Sequence, residues 1–127
     1  PPPPPPPAAD AGAAGSFAAQ INSLRAGAGV PGLARSGDLD ARAQSWAASM
    51  ASSGSLRHSG NVSSLVGGGW STAGENVGYG GSVGSVFSSL AASSGHRANM
   101  VNGAFTHVGV GVVVANGTLW TAHLFAG

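Results

Sequence analysis

Val108-Gly109-Val110-Gly111-Val112-Val113-Val114-Ala115, then Asn116-Gly117, then Thr118-Leu119-Trp120-Thr121-Ala122-His123-Leu124-Phe125 is the stretch that decides the fold. Val108, Val110, Val112 and Val114 alternate with the period of a half-buried strand. Asn-Gly is the dipeptide favoured in a type I′ hairpin turn, and the residues after it return as a second strand. With Asn116 and Gly117 as the two loop residues, Val113 faces Trp120 and Val110 faces His123. Gly109 and Gly111 fall on the face opposite the four valines, where missing side chains let another segment approach closely.

Upstream of the hairpin the period becomes helical. Phe17, Ile21 and Leu24 recur at i, i+4 and i+7, with Ser16 as the expected N-cap and Gly27 and Gly29 closing the segment. A second helix is expected from Ser36 or Gly37, with Asp38 and Asp40 at the positive end of its dipole, a stripe of Leu39, Ala43, Trp46, Ala47 and Met50, and Gly54 at C′. Residues 55–74 show no period and read as a long loop, of a length that a compact domain keeps for function. Glu75 to Tyr79 suits a short strand. Val83, Val86, Phe87 and Leu90 make a third helix from about Ser82, and Ser94 is expected to cap a short helical turn carrying His96 and Met100. Helices first and an antiparallel hairpin last imply an α+β layered domain.

The 127 residues suffice for one domain with a real core, and 43% hydrophobic residues fit a globular chain. Residues 1–15, seven prolines followed by Ala-Ala-Asp-Ala-Gly-Ala-Ala-Gly, read as a proline-rich disordered linker. Polyproline II would make the prolines a stiff spacer, with an SH3-type ligand as the rival reading. The domain is then residues 16–127. The net charge is +1, with five arginines unclustered and no lysine, so nothing marks a nucleic-acid or polybasic membrane contact. No apolar run approaches the length of a membrane span. Cysteine is absent, which excludes disulfides and thiol chemistry. The opening on Pro1 rather than methionine is that expected of a mature or trimmed fragment.

Glu75 is the only glutamate in a chain that is 7% charged. His58 and His96 flank it at comparable distances. Two imidazoles and a carboxylate suit a divalent metal, zinc above all, or acid–base work with Glu75 as the base. Spacing alone does not decide between a shared cleft and scattered, independently bonded side chains. His107, at a strand entry, and His123, on the valine face, read as ordinary rim or core histidines with satisfied hydrogen bonds. Arg57 and Arg97 each neighbour a candidate histidine and suit either an anion contact or an exposed helix end. Trp70, on the long loop, is the tryptophan placed to line a cleft.

Four segments taken in order resemble the CAP superfamily, which groups cysteine-rich secretory proteins, antigen 5 and pathogenesis-related 1 proteins with bacterial SCP-domain relatives. They are Leu56-Arg57-His58-Ser59, Gly74-Glu75-Asn76-Val77-Gly78, Ser94-Gly95-His96-Arg97-Ala98-Asn99-Met100 and Val108-Gly109-Val110-Gly111-Val112. Phe17 to Arg25 and Ala43 to Ala47 are similar to the family's first two helices. The bacterial, cysteine-free branch fits best. The resemblance implies a three-layer α-β-α sandwich with a central antiparallel sheet. It also implies a common cleft containing His58, Glu75 and His96, with Asn76, Arg97 and Trp70 around it, in which the two histidines bind Zn2+ or another divalent cation.

The chain departs from the family at one point. Many members carry a second acidic residue before the His96-type histidine, and here Ser89 or Ser93 takes its place. The function implied is a secreted or cell-wall-associated, monomeric binding module for a protein, lipid or wall partner. The alternatives are a metal-assisted hydrolase of peptidase type and a structural His/Glu network without a ligand.

Overall fold

The computed structural model describes Pro3 and residues 5–127. Among these, the chain order is β1 (Ala8–Ala9), α1 (Ala11–Gly27), β2 (Ala34–Arg35), α2 (Gly37–Ser53), α3 (Val62–Val66), β3 (Ala73–Gly80), α4 (Val83–Ala92), α5 (Ser94–Met100), β4 (His107–Ala115) and β5 (Thr118–Ala126). One sheet runs β1-β4-β5-β3, with β2 pairing β4 outside that path. The long pairings are antiparallel, as expected, and the two-residue β2–β4 contact is parallel.

The hairpin has the register its sequence dictates. Val113 pairs with Trp120 and Val110 with His123. Asn116 (φ 52°) and Gly117 (φ 75°) both occupy the left-handed region that a type I′ turn requires. The valine face of β4 packs on Phe17 and Ile21 of α1, Val86 and Leu90 of α4 and Met100 of α5. The opposite face of the sheet packs Val77, Trp120 and Leu124 on Leu39, Ala43, Ala47 and Met50 of α2 and Val66 of α3. The result is helix, sheet and helix in three layers.

Gly109 and Gly111 explain how closely α2 lies. A Cβ at Gly109 would overlap the Leu39 backbone, and one at Gly111 the backbone at Ala43 and Gln44. That approach brings α2 side chains to the outward groups of β4. Val110 N–H donates to Asp40 Oδ1 (2.9 Å), and Val112 exchanges two hydrogen bonds with the Gln44 amide (3.0 Å each).

Three boundaries differ from expectation. Helix α1 starts at Ala11 rather than Ser16, because Asp10 accepts from Ala13 N–H at 2.9 Å and caps it. Residues 8–15 therefore belong to the fold, with Ala8 and Ala9 paired to Val114 and Val113 and Ala13 and Ala14 buried, and the linker expectation fails for them. The polyproline expectation for Pro1, Pro2 and Pro4 lies outside the described residues. Ser93, not Ser94, holds the N-cap position of α5. The long loop carries α3, whose first turn is capped by Asn61 (Oδ1 to Ser64 N, 3.1 Å). Helices α2 and α4 start where the sequence places them, capped by Ser36 and Ser82, and Gly54 ends α2 in the left-handed region (φ 65°).

Candidate functional site

The site wraps the free edge of β3. Successive residues of a strand point to opposite faces, so Glu75 and Asn76 project to the two sides of the sheet. Glu75 turns toward the loop after α2, and Asn76 toward α5. His58, Glu75, Asn76, Ser93, Gly95, His96 and Asn99 line one cleft of about 200 Å³.

His58 is brought there by a strapped loop. The Arg57 guanidinium lies 4.8 Å over the Trp46 ring and donates to Ser53 Oγ (2.7 Å), Ser55 O (3.1 Å) and Ser49 Oγ (3.2 Å). Trp46 Nε1–H returns a bond to Arg57 O at 3.1 Å. Arg57 is thus not a free helix-end charge, and its bonds fix the segment that holds His58.

Glu75 and His58 form a pair of unequal exposure. His58 Nδ1–H donates to Glu75 Oε1 at 2.8 Å, and Ser59 N–H donates to the same oxygen at 3.0 Å. The Glu75 side chain is 1% exposed and that of His58 63%. A carboxylate can only accept here, so it fixes the proton on Nδ1 and leaves Nε2 as the lone-pair nitrogen facing outward. Glu75, the expected base, thus stands behind His58, and His58 Nε2 is the more exposed of the two groups. Glu75 Oε2 and Ser59 Oγ are buried without a hydrogen-bond partner.

On the other side, His96 Nδ1 stands 2.8 Å from Ser93 Oγ, which leaves its Nε2 free. Ser93, one of the two serines expected in place of the family's second acidic residue, serves here as the imidazole's partner. Asn76 Nδ2–H donates to His96 O (2.9 Å), and Asn99 donates to Asn76 Oδ1 (2.9 Å) and Glu75 O (3.3 Å). These bonds tie α5 to β3. Asn99, Ser93 and Ser59 were not singled out as site residues from sequence. Asn99 lies three residues from His96, one helical turn along, and that spacing was the available signal.

The remaining candidates lie elsewhere. Trp70 packs on His107 (ring centroids 5.1 Å apart) and lines a separate pocket with Ser63, Val66 and Gly67, not the His/Glu cleft. Arg97 is exposed on α5 and is not among the residues lining the cleft. His107 is half-buried, 2.8 Å from Thr106 Oγ1.

His123 overturns its expectation. It is fully buried, 4.8 Å from Phe17 by ring centroids, and neither ring nitrogen has a hydrogen-bond partner among the described residues. Burial, with a smaller push from His96, lowers its pKa from the ordinary 6.5 to about 3. Arg25 was equally unforeseen. It is buried, its guanidinium is lowered in pKa by desolvation, and it donates to Pro31 O, Met100 O, Asn102 O and Phe105 O. By gripping the chain just after α5 it sets the height of the helix that carries His96.

Two imidazoles with free Nε2 atoms and hydrogen-bonded Nδ1 atoms are suitable donors for a divalent cation. Among the described residues no group of three His, Asp or Glu side chains is placed to hold one. Among the same residues no helix is long and apolar enough to cross a membrane.

Three solved structures share the fold. An extracellular SCP-domain protein from Bacillus anthracis matches with a TM-score of 0.77 and 25% identity, over 91% of this chain and 40% of its own. An outer surface protein from Borrelia burgdorferi matches with a TM-score of 0.82 and 15% identity, over 91% of this chain and 92% of its own. A cysteine-rich secretory protein from Staphylococcus aureus matches with a TM-score of 0.73 and 20% identity, over 91% and 38%. The chain thus spans well under half of the first and third of these proteins. No curated protein matches significantly. The model of the cysteine-rich secretory protein family, CAP, matches residues 18–124. With that match over most of its length, and with a shared α-β-α sandwich, the chain belongs to the CAP family.

Proposed function

We propose that the chain is an extracellular interaction module whose cleft takes up a divalent cation through His58 Nε2 and His96 Nε2. The observation that carries this reading is the matched state of the two imidazoles. Each lines the same cleft, and each has its Nδ1 engaged by a partner of its own, Glu75 Oε1 in one case and Ser93 Oγ in the other. Partners of this kind orient an imidazole for metal binding, and the Glu75 carboxylate raises the basicity of His58. With no third protein ligand, a bound cation keeps open positions for a group from a partner. The extracellular and outer-surface descriptions of the structural relatives support a location outside the cytoplasm.

Zinc titration by calorimetry tests the reading. The full chain is expected to bind zinc, and the His58→Ala/His96→Ala double variant to lose that binding while staying folded. A folded wild type that binds no zinc would remove the metal.

Hydrolysis is the second reading, favoured by the buried Glu75 behind an exposed His58. There His58 Nε2 and His96 Nε2 would hold a cation that would supply Lewis acidity to a water at its open position, with Glu75 fixing and charging the His58 ring through Nδ1. The absence of turnover on peptides and esters at saturating zinc would retire it.

A further inference from the structure

Strand β3 has one side fully used and the other nearly bare. Thr72 and Gly127 exchange both backbone hydrogen bonds (3.0 and 3.1 Å), which sets the alternation along the β3–β5 ladder. Gly74, Asn76, Gly78 and Gly80 therefore aim N–H and C=O at β5. Glu75, Val77 and Tyr79 aim theirs outward. Asn99 Nδ2–H takes the outward carbonyl of Glu75. Among the described residues nothing takes the outward groups of Val77 or Tyr79.

A groove of about 200 Å³ runs beside those two residues, between Leu56 on one side and Val86, Ser89 and Leu90 of α4 on the other. Leu56 and Tyr79 are the exposed large hydrophobic side chains among the described residues, at 41% and 56%. The groove shares Ser93 and His96 with the His/Glu cleft, so the apolar channel opens directly into the polar one. Glu75 is the single formally charged residue other than histidine around that polar end, and its Oε2 lacks any donor.

We propose that an extended peptide adds to the free edge of β3, its backbone paired with Val77 and Tyr79 and its N-terminal ammonium in the His58/Glu75 cleft. Strand addition supplies affinity through main-chain hydrogen bonds, and adjoining pockets select side chains. Asn99 covers the edge at Glu75, so a paired peptide has to end there, and the end group meets the field of the buried Glu75 carboxylate and the exposed lone pair of His58 Nε2. A cationic donor complements both; a C-terminal carboxylate opposes the first. With its N-terminus at Glu75 and its chain toward Tyr79, the peptide runs parallel to β3. Alternate peptide N–H groups then meet Val77 O and Tyr79 O, and an apolar side chain enters between Leu56 and Leu90. This inference builds on the interaction-module reading but does not require the metal.

A hexapeptide library with free N-termini, probed with the full chain in zinc-free buffer, tests it. The expected result is a selected peptide whose affinity falls at least about tenfold on N-acetylation, as loss of a charge-assisted hydrogen bond requires. N-methylation at the two edge-pairing positions should weaken it similarly, and at the intervening position less than about twofold. On titration into isotope-labelled protein, the Val77 and Tyr79 amides should shift most. Tyr79→Pro removes one edge donor, and is expected to lose the peptide while zinc titration is unchanged. A library with no binder tighter than millimolar overturns the inference. So does a binder indifferent to acetylation and to N-methylation, or a groove that takes up a fatty acid without moving the Tyr79 amide. Loss of zinc binding with peptide binding intact would instead overturn the metal reading alone.

Discussion

The two borders of the sheet are treated in opposite ways. Beyond β4, most outward groups along the middle of the strand have a partner. Ser36 N–H donates to Val108 O, Asp40 and Gln44 reach Val110 and Val112, and Asp10 N–H joins Val112 O. Two-residue strands β1 and β2 cover the ends. Beyond β3, one asparagine covers one carbonyl, and among the described residues nothing takes the outward groups of Val77 and Tyr79. Exposed strand edges invite pairing with another chain, and proteins close those they do not use. A chain that spends Asp10, Ser36, Asp40 and Gln44 on one border and leaves the other beside an apolar groove has assigned the second border to contact.

The closed border is the place where a single change costs most. In Gly111→Val the side chain has no space against the backbone at Ala43 and Gln44, so α2 must move and the Gln44 bonds to Val112 are lost with it. A loss of more than about 4 kcal/mol, or failure to fold, is expected, read by urea denaturation. A variant within about 1 kcal/mol of wild type would show that α2 and β4 are not locked together.

A smaller effect comes from under the open border. His123 sits on β5 opposite Asn76, with its pKa lowered to about 3 in the folded chain and near 6.5 when unfolded. Between those values the unfolded chain holds the extra proton, so folding stability is complete above pH 6.5 and falls as the pH drops toward 3. Going from pH 7.5 to pH 5 should cost about 2 kcal/mol through this residue. Denaturation curves of wild type and His123→Leu at both pH values read it, and an equal slope in the variant would assign the acid sensitivity elsewhere.

The smallest effect sharpens the contrast. Tyr79→Pro sits where the strand's N–H points outward, a position that an edge strand gives up readily. Its stability cost should be about 1 kcal/mol, from the lost stack of Tyr79 on Trp120 at 5.0 Å. A cost above about 3 kcal/mol would mean that the outward N–H already has a partner.

Much of this architecture was determined by sequence. Local rules suffice for the hairpin register, the caps at Ser36 and Ser82 and the stop at Gly54, because each depends on residues a few positions apart. The ordered motifs placed His58, Glu75 and His96 in one cleft. Trp70 and Arg97 were misplaced because loop position and neighbourhood in sequence say little about where a side chain packs. The linker expectation runs too far because the proline run sets the reading of the whole segment, while Asp10 caps a helix that the alanines after it favour. Tertiary structure alone decided the division of labour in the cleft, with the carboxylate buried and the imidazole outside. It alone left His123 without partners, and closed one border of the sheet while opening the other. Those outcomes depend on which distant groups share a dry space, and a lone glutamate or histidine in a sequence carries no mark of its depth.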